Sequence, residues 1–315
     1  MEKKTNKLLL LAAKIAVSAS VLYLILKETG AGKVFDVLRS INPLFFFGSL
    51  LLYVFSLYIS SLRWRLLLSR SGTAADLPLS RFFTLYFMGA FFNNILPGVI
   101  GGDAVRIYYL YRDTGDAQSS IGSVFADRYV GFVALLTLGL LALPFGFQRI
   151  RGTGIEWMIP VIALLFIVAS VLMFGLRLGK RFSKVRGFYD YFTNLWRSPA
   201  ILVKTVTLSI IIQVIGIFCV YLISIGLGSD TDLMELFIFL PIIITVTTIP
   251  ISISGLGLRE GAFVFLLGFV GVRPEVAASI SLAWFFSYAL GSVPGVFFYM
   301  RWRVKGGITG TGFTA

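Results

Sequence analysis

The sequence predicts an all-α polytopic membrane protein with about six full transmembrane helices and two re-entrant helical hairpins arranged as an inverted repeat. Three observations lead to this prediction. Hydrophobic residues make up 57% of the 315 residues and charged residues only 14%, with a mean hydropathy of +0.88, whereas about a quarter of the residues of soluble domains are charged. Long apolar runs alternate with short basic connections. A pattern of proline, glycine and arginine occurs twice.

Apolar runs follow one another along the chain, and most of them approach the ~20 residues that a helix needs to cross the hydrocarbon layer. They cover 8–26, 44–62, 82–100, 121–143, 157–176, 200–227, 233–253, 256–272 and 276–300. Because the connections are too short to fold into a soluble unit, we expect one membrane domain over 1–305 and a flexible tail over 306–315.

The basic residues predict the orientation of the spans. The net charge is +13, from 28 Lys and Arg against 15 Asp and Glu, and the basic residues concentrate before the first run and around 63–81, 177–197 and 301–305. Basic connections stay in the cytoplasm, so we expect a protein of the cytoplasmic membrane with both termini inside. Basic flanks also attract anionic headgroups. The charge therefore indicates membrane phospholipids as partners and no nucleic acid.

Two segments cannot be single crossings in this orientation. Both ends of 82–120 would lie inside, and both ends of 236–272 would lie outside. We therefore expect each segment to enter the membrane and return to the same side. Irregular backbone at membrane depth is tolerated only where it is buried in protein or lines a wet cavity, so two hairpins of opposite entry side predict a cavity between them.

The turning points of the two hairpins resemble each other. Three positions agree when LPGVIGGDAVR at 96–106 is aligned with IPISISGLGLRE at 249–260. Three matches alone are a weak signal, but the flanking spans run in opposite directions, as in the inverted repeats of many carriers. We expect repeat halves at roughly 44–143 and 200–300. The matched pairs are Pro97 with Pro250, Gly102 with Gly255, and Arg106 with Arg259.

A substrate site is predicted at these turning points. Proline and clustered glycines break a helix, and a new helix then opens at Asp103 or Leu258 with unpaired N–H groups and a positive dipole end that suit an anion. Arginine forks one turn later suit a phosphate. The predicted substrate-binding residues are Asn94, Gly101, Gly102, Asp103, Arg106, Asp127, Arg128, Gly255, Arg259 and Glu260, with Pro97 and Pro250 as structural hinges.

The charged residues of the two turning points also have a structural interpretation. Arg106 can pair with Asp103 at i, i+3, and Arg259 can pair with Glu260 or across the bundle. In the binding interpretation the two arginines contact the substrate phosphate, while Asp103 and Glu260 would hold the arginines or a substrate amino group. Intramembrane ionisable residues mark function by default, which favours the binding interpretation.

Two further groups of charged residues stand at the ends of apolar runs. Asp127 and Arg128 start a span, where they either contact the first hairpin or cap the helix. Arg63 and Arg65 flank Trp64 at the end of a run, which is typical of an interfacial anchor.

Enzymatic chemistry has little support in the sequence. Histidine is absent, and the sole cysteine, Cys219, lies inside an apolar run, which excludes histidine acid–base catalysis and Cys/His metal sites. No Walker A pattern occurs. We therefore expect a non-enzymatic protein without cofactor or metal. An intramembrane enzyme acting on lipid phosphates through Asp103, Asp127 and Arg128 is the weakest alternative.

Three motifs carry a family resemblance: FFNNILPGVIGGDAVRIYYL, ADRYVG and ISISGLGLREGAF. With them the chain, over nearly its whole length, resembles the membrane region of bacterial lysylphosphatidylglycerol synthases, a flippase-like family of the inner membrane. The resemblance implies movement of phospholipid between leaflets, which in that family is aminoacylated. Some members add a cytoplasmic aminoacyl-transferase domain, which we do not expect here. The family usually has Glu where this chain has Asp127, so this carboxylate has a shorter reach.

The residues and the resemblance together predict a lipid transporter that moves a phospholipid or another anionic headgroup. The alternative is an accessory subunit that presents a lipid-linked intermediate to a glycosyltransferase or another lipid-modifying membrane enzyme. A homodimer is a further candidate assembly.

Overall fold

The computed structural model describes residues 2–69, 77–95, 101–175, 191–193, 195, 197–249, 252 and 255–308, with side chains from Lys14 to Arg301 within these ranges. The hinges predicted at Pro97 and Pro250 lie outside the described residues. The helices are α1 Glu2–Thr29, α2 Ala31–Arg39, α3 Pro43–Leu68, α4 Leu79–Ile95, α5 Gly101–Thr114, α6 Ala117–Ile150, α7 Met158–Ser170, α8 Pro199–Gly226, α9 Leu233–Thr248, α10 Leu258–Gly268, α11 Pro274–Ser292 and α12 Pro294–Ile308.

Among the described residues, five helical segments are long and apolar enough to cross a membrane. They are α3, α6, α8, α7 with its adjoining turns over Ile155–Phe174, and α11 continued into α12 over Pro274–Arg301. A sixth crossing results if α1 and α2, which meet at an angle of 83°, form one bent span. The prediction of an all-α polytopic membrane protein is confirmed.

Shorter helices occupy the two segments that were predicted to be hairpins. The first holds α4 and α5, and the second holds α9 and α10. Each pair stands between long helices, so that α3–α6 and α8–α11 have the same order of long, short, short and long elements. Membrane re-entry and the inverted relation of the two halves stay predictions.

Helix starts follow from capping residues in the sequence. The Asn42 side chain accepts the Leu44 N–H at 3.0 Å at the start of α3, and Asp116 caps α6. Asp232 and Glu235 form a reciprocal capping box at α9. Such caps satisfy N–H groups that a helix leaves unpaired. They fix where α6 and α9 begin, and hence the register of the side chains that face the site.

Glycines let the hairpin helices approach their neighbours closely. A Cβ on Gly102 of α5 would overlap the Gly89 carbonyl group of α4, with the carbonyl carbon 2.6 Å away. A Cβ on Gly295 of α12 would overlap the Phe87 backbone of the same helix α4. Helix α4 is therefore packed at backbone distance against both α5 and α12.

Helix α12 extends into the predicted C-terminal tail and ends at Ile308. The flexibility of the tail stays a prediction. Glycine at 306 and 307 lowers helix stability by only about 1 kcal/mol per residue relative to alanine, which does not stop the helix. Residues 309–315 lie outside the described residues.

Candidate functional site

A cavity of about 400 Å³ lies among the helices of the two predicted repeat halves. Each of α3–α6 and α8–α11 contributes lining residues. Four of the predicted site residues line it, namely Asn94 of α4, Arg106 of α5, Arg128 of α6 and Arg259 of α10. We call it the arginine cavity. Its walls include residues of α4 and α5 and of α9 and α10, the helices of the two predicted hairpins.

Asp127 connects the arginines of the first half. Its Oδ1 accepts hydrogen bonds from Arg63 Nε and Nη2, both at 2.9 Å, and its Oδ2 accepts from Arg106 Nη2 at 3.0 Å and from the Tyr86 hydroxyl at 2.9 Å. The Asp127 side chain is 1% exposed. Arg63 also donates to the Ser209 hydroxyl at 2.8 Å. This carboxylate therefore ties α3, α4, α5 and α6 together, and Arg63 extends the link to α8.

Arg106 lies against two aromatic rings. Its guanidinium carbon lies 4.1 Å from the ring centroids of both Trp64 and Tyr86, which are themselves 6.2 Å apart. A cation–π contact with a desolvated cation is worth about 2 kcal/mol or more, so the two rings favour the charged side chain here. Arg106 Nε is buried and has no hydrogen-bond partner among the described residues. One donor of this arginine, whose side chain lines the arginine cavity, is thus left unused.

Arg128 is the most accessible arginine of the site. Its Nε and Nη2 donate to the two Asp103 oxygens at 2.8 and 3.1 Å, while 48% of its side chain is exposed. Asp103 also accepts a weaker bond from Arg106 at 3.5 Å. The charge-assisted fork to Asp103 fixes the guanidinium plane, and the remaining surface of Arg128 faces the cavity.

The charges of the first half do not balance. Three guanidinium groups are joined to two carboxylates, which leaves an excess of one positive charge. We call this group the first arginine cluster. Away from water, uncompensated charge is expensive, and an anion in the adjoining cavity would lower that cost. Its members are Arg63, Arg106, Arg128, Asp103 and Asp127.

Arg259 and Glu260 form a second, balanced cluster. Glu260 Oε1 accepts from Arg259 Nε and Nη2 at 3.2 and 2.9 Å and from the Ser281 hydroxyl at 2.9 Å. Arg259 Nε also donates to the Ser281 oxygen at 3.1 Å, and Nη1 donates to the Tyr288 hydroxyl. Glu260 Oε2 accepts the Gly257 N–H at 2.6 Å. The two charges of α10 therefore neutralise each other, and hydroxyl groups of α11 complete their hydrogen bonds.

These contacts bear on two expectations about the turning points. The i, i+3 bond from Arg106 to Asp103 exists but is the weaker one, because Asp127, 21 residues along the chain, lies closer. The helix N-termini were expected to offer free N–H groups to an anion. Instead, the Gly102 N–H donates to the Asn93 side chain at 2.8 Å. The Gly257 N–H, at the start of α10, donates to the Glu260 carboxylate. The arginine side chains, not these two N–H groups, face the cavity.

The predicted glycines have structural roles in the described part of the chain. Gly101 starts α5, and Gly102 gives the backbone contact with α4. Gly255 has φ of +77° and lies against Thr247, with a Cβ position 3.2 Å from the Thr247 Cβ. Its carbonyl accepts the Arg259 N–H at 2.8 Å. Glycine adopts this left-handed backbone conformation without a steric penalty, and the turn it makes directs the chain into α10, which begins at Leu258.

Arg63 and Trp64 were wrongly interpreted as an interfacial anchor. Arg63 is 5% exposed and Trp64 fully buried, and Trp64 Nε1 donates to the Ser123 hydroxyl at 3.1 Å. The signal was present, because Ser56, Ser60, Arg63 and Leu67 recur at the spacing of one helix face. Tyr86, Gln213, Ser281 and Tyr288 are neutral residues of the site that no sequence pattern distinguished.

A second cavity of about 440 Å³ adjoins the first. Tyr86, Arg128 and Gln213 line both cavities. Asp127 also lines the second cavity, whose remaining walls are largely aromatic and apolar, with Phe125, Tyr129, Phe132, Leu135 and Phe166 among them. A polar compartment thus continues into an apolar one beside α6 and α7.

Comparison with known proteins agrees with the motifs. The family model described as the lysylphosphatidylglycerol synthase TM region matches residues 11–295. A UPF0104 membrane protein of Methanothermobacter thermautotrophicus is 23% identical over 311 residues, which cover 89% of this chain and 90% of that protein. Another UPF0104 membrane protein, from Methanocaldococcus jannaschii, is 26% identical over 157 residues, or 48% of this chain and 44% of that protein. The chain belongs to the family of the lysylphosphatidylglycerol synthase TM region.

Proposed function

We propose that this protein moves an anionic lipid between the leaflets of the membrane and binds the headgroup phosphate in the arginine cavity. The observation that carries the proposal is that Arg106, Arg128 and Arg259, from both halves of the chain, line one cavity. The first arginine cluster adds one uncompensated positive charge. Intramembrane arginines that face a cavity between helices are typical of substrate pathways.

The dimensions of the cavities favour a lipid headgroup. A volume of about 400 Å³ lies within the range of small-molecule sites, which is ~300–1,000 Å³. It holds a phosphate with a small substituent but not two acyl chains. The adjoining apolar compartment, lined by Phe125, Phe132 and Phe166, suits the first carbons of a chain. The rest of the lipid would remain in the bilayer while the headgroup crosses.

The path of the headgroup would open by relative movement of the two halves. In transporters built from repeats, the halves rock around a site near the midplane. Here the cavity has walls from α3–α6 and from α8–α11, so a change in their relative position would open it toward one leaflet or the other. No ATP-binding motif occurs in the sequence, and this mechanism requires none.

We further propose that the protein lies in the cytoplasmic membrane with both termini inside. The distribution of basic residues supports this orientation. Single cysteines at Gly115 and Gly152, introduced into a Cys219→Ser background, test it with a membrane-impermeant thiol reagent on intact cells. Labelling at position 152 and protection at 115 are expected. The reverse pattern would overturn the orientation.

The function is tested with purified protein in liposomes. Acyl-chain-labelled anionic phospholipid is placed in both leaflets, and a membrane-impermeant quencher reports how fast the protected inner pool reaches the outer leaflet. The test variant is Arg128→Gln, because this arginine is half-exposed and has one partner, Asp103. Its loss removes the excess positive charge. We expect the rate to fall at least about tenfold, as the loss of a charged hydrogen bond of about 1.5–3 kcal/mol predicts.

Arg65→Gln is the matched control, since Arg65 lies on α3, is exposed and does not line the cavity. Its rate should equal that of the unaltered protein, and both variants should remain folded in detergent. An unchanged rate in Arg128→Gln would refute the site. Lipid binding without any movement by the unaltered protein would refute transport and favour an accessory subunit that presents the lipid to another enzyme.

A further inference from the structure

The polar groups of the arginine cavity are cationic or neutral. Arg106, Arg128 and Arg259 supply the charge, and amides and hydroxyls supply the rest. Among the described residues no carboxylate lines this cavity. The carboxylates of the two clusters lie behind the arginines, where Asp103 is 12% and Glu260 1% exposed. A ligand in this cavity therefore contacts guanidinium groups but no carboxylate, and the first arginine cluster leaves one positive charge in excess.

This arrangement disfavours a headgroup with an ammonium group. An ammonium needs a carboxylate or several carbonyl oxygens, and the accessible carboxylates are already bonded to guanidinium groups. An aromatic face such as Trp284 attracts a cation, but the guanidiniums that line the same cavity, with their excess of one positive charge, would repel it. The substrate that fits is thus not the aminoacylated lipid that the family name suggests.

Two neutral groups remain available to a hydroxyl. The Gln213 amide nitrogen donates to the Gly131 carbonyl at 2.9 Å, so its carbonyl oxygen is the atom left to accept a bond. The Tyr53 hydroxyl has no hydrogen-bond partner among the described residues. Both side chains line the arginine cavity and also a smaller neighbouring cavity of about 160 Å³. A buried hydroxyl of the ligand would satisfy both groups.

We propose that the arginine cavity selects a phosphodiester lipid headgroup with neutral hydroxyl groups, such as phosphoglycerol, and rejects aminoacylated headgroups. The phosphate contacts Arg106 and Arg128, and a hydroxyl contacts Tyr53 and Gln213. This inference rests on the proposed function for its transport readout but makes a separate statement about binding. It names the substrate class by charge and hydrogen-bonding capacity.

Three acyl-chain-labelled lipids test the selectivity in the same liposome assay. They are phosphatidylglycerol, phosphatidylpropanol, which has the same phosphodiester without hydroxyls, and lysyl-phosphatidylglycerol, which adds positive charge. We expect phosphatidylglycerol to move at least about tenfold faster than the lysyl lipid and about 3- to 10-fold faster than phosphatidylpropanol, the effect of one or two neutral hydrogen bonds. Equal or faster movement of the lysyl lipid would overturn the proposal.

Tyr53→Phe isolates the hydroxyl contact. In this variant the ratio of phosphatidylglycerol to phosphatidylpropanol rates should fall toward one. Tyr58→Phe, on the same helix and outside the cavity, should keep the ratio of the unaltered protein. An unchanged ratio in Tyr53→Phe, with the unaltered protein showing a preference, would remove Tyr53 from the site.

Equilibrium binding separates this inference from the proposed function. Thermal shifts of the purified protein with each lipid should rank phosphatidylglycerol above the lysyl lipid even if no lipid moves, in which case transport fails and selectivity stands. Glycerol phosphate at millimolar concentration tests a water-soluble source of the same chemistry. It should stabilise the protein far less than the lipid does, and equal stabilisation would show that the ligand is not a lipid.

Discussion

Asp127→Asn should destabilise the protein strongly, because Asp127 is the carboxylate that Arg63 and Arg106 share. The substitution keeps the size of the side chain and an oxygen for the Tyr86 hydroxyl. It raises the excess charge of the first arginine cluster from one to two. Removing one partner of a buried ion pair costs about 3–5 kcal/mol. We expect a loss in that range in equilibrium unfolding in mixed detergent micelles, provided that unfolding is two-state.

A second substitution separates charge balance from lost contacts. Arg63→Gln alone removes the excess charge and leaves Asp127 paired with Arg106, so it should cost about 1.5–3 kcal/mol, the contribution of hydrogen bonds to charged groups. The double variant Arg63→Gln with Asp127→Asn returns the excess to one. Its loss should be smaller than the sum of the two single losses by about 1–3 kcal/mol, as for residues in one network.

Asp113→Asn is the matched control for Asp127→Asn. Asp113 also pairs with an arginine, Arg81, through two hydrogen bonds at 2.6 and 3.0 Å, but nearer the surface, with 15% of each side chain exposed. Such a pair lies at the upper end of the ~0–1 kcal/mol of surface pairs, so this variant should lose about 1 kcal/mol, well below the loss of Asp127→Asn. The reasoning fails if Asp127→Asn costs less than about 1 kcal/mol, or if the two single losses simply add in the double variant.

Two more predictions concern helix packing and a surface ion pair. Gly102→Ala should lower the free energy of unfolding by about 3 kcal/mol, because its Cβ would overlap the Gly89 backbone. The control Gly268→Ala, whose Cβ would have nothing within 4 Å, should change that free energy by less than about 1 kcal/mol. Equal losses would refute the close approach of α5 and α4. Arg149→Ala should cost less than about 1 kcal/mol, since its bridge to Asp232 is exposed. The pKa of Asp232 is lowered by a backbone N–H at the start of α9 and by Arg149. The stability that the Asp232 carboxylate contributes should therefore be fully present above the pKa of unfolded aspartate and be lost as pH falls through the lower, folded value. A contribution to stability that grows as pH falls would contradict this.

The sequence predicted the helical framework well because composition and run length determine it. Five of the predicted runs correspond to the long segments that are apolar enough to span. The two segments that charge parity excluded as single crossings contain short helices instead. Hydropathy acts over about twenty residues at a time, so errors of a few residues at the ends of a run do not change the outcome.

The residues of the site could be predicted only where a charged residue stood within an apolar run or beside one of the proline–glycine helix breaks. Arg106, Arg128 and Arg259 met that condition and share one cavity. Arg63 did not, because it follows the last apolar residue of its run, and its charge was assigned to the cytoplasmic side. Helix α3 in fact continues to Leu68. A basic residue within the last two turns of a helix has the same local sequence whether it faces lipid headgroups or a buried carboxylate.

The aligned arginines of the two halves show why sequence could not predict the partners. Arg106 is neutralised across helices by Asp127, whereas Arg259 is neutralised by the next residue, Glu260. In the predicted repeat the position of each arginine is shared, but the source of its counter-charge is not. Only the first half brings in two further arginines, Arg63 and Arg128, and so only that half has a positive excess. A phosphate should therefore bind nearer α5 and α6 than α10, and the cavity is electrostatically one-sided although its two halves are built from the same order of helices.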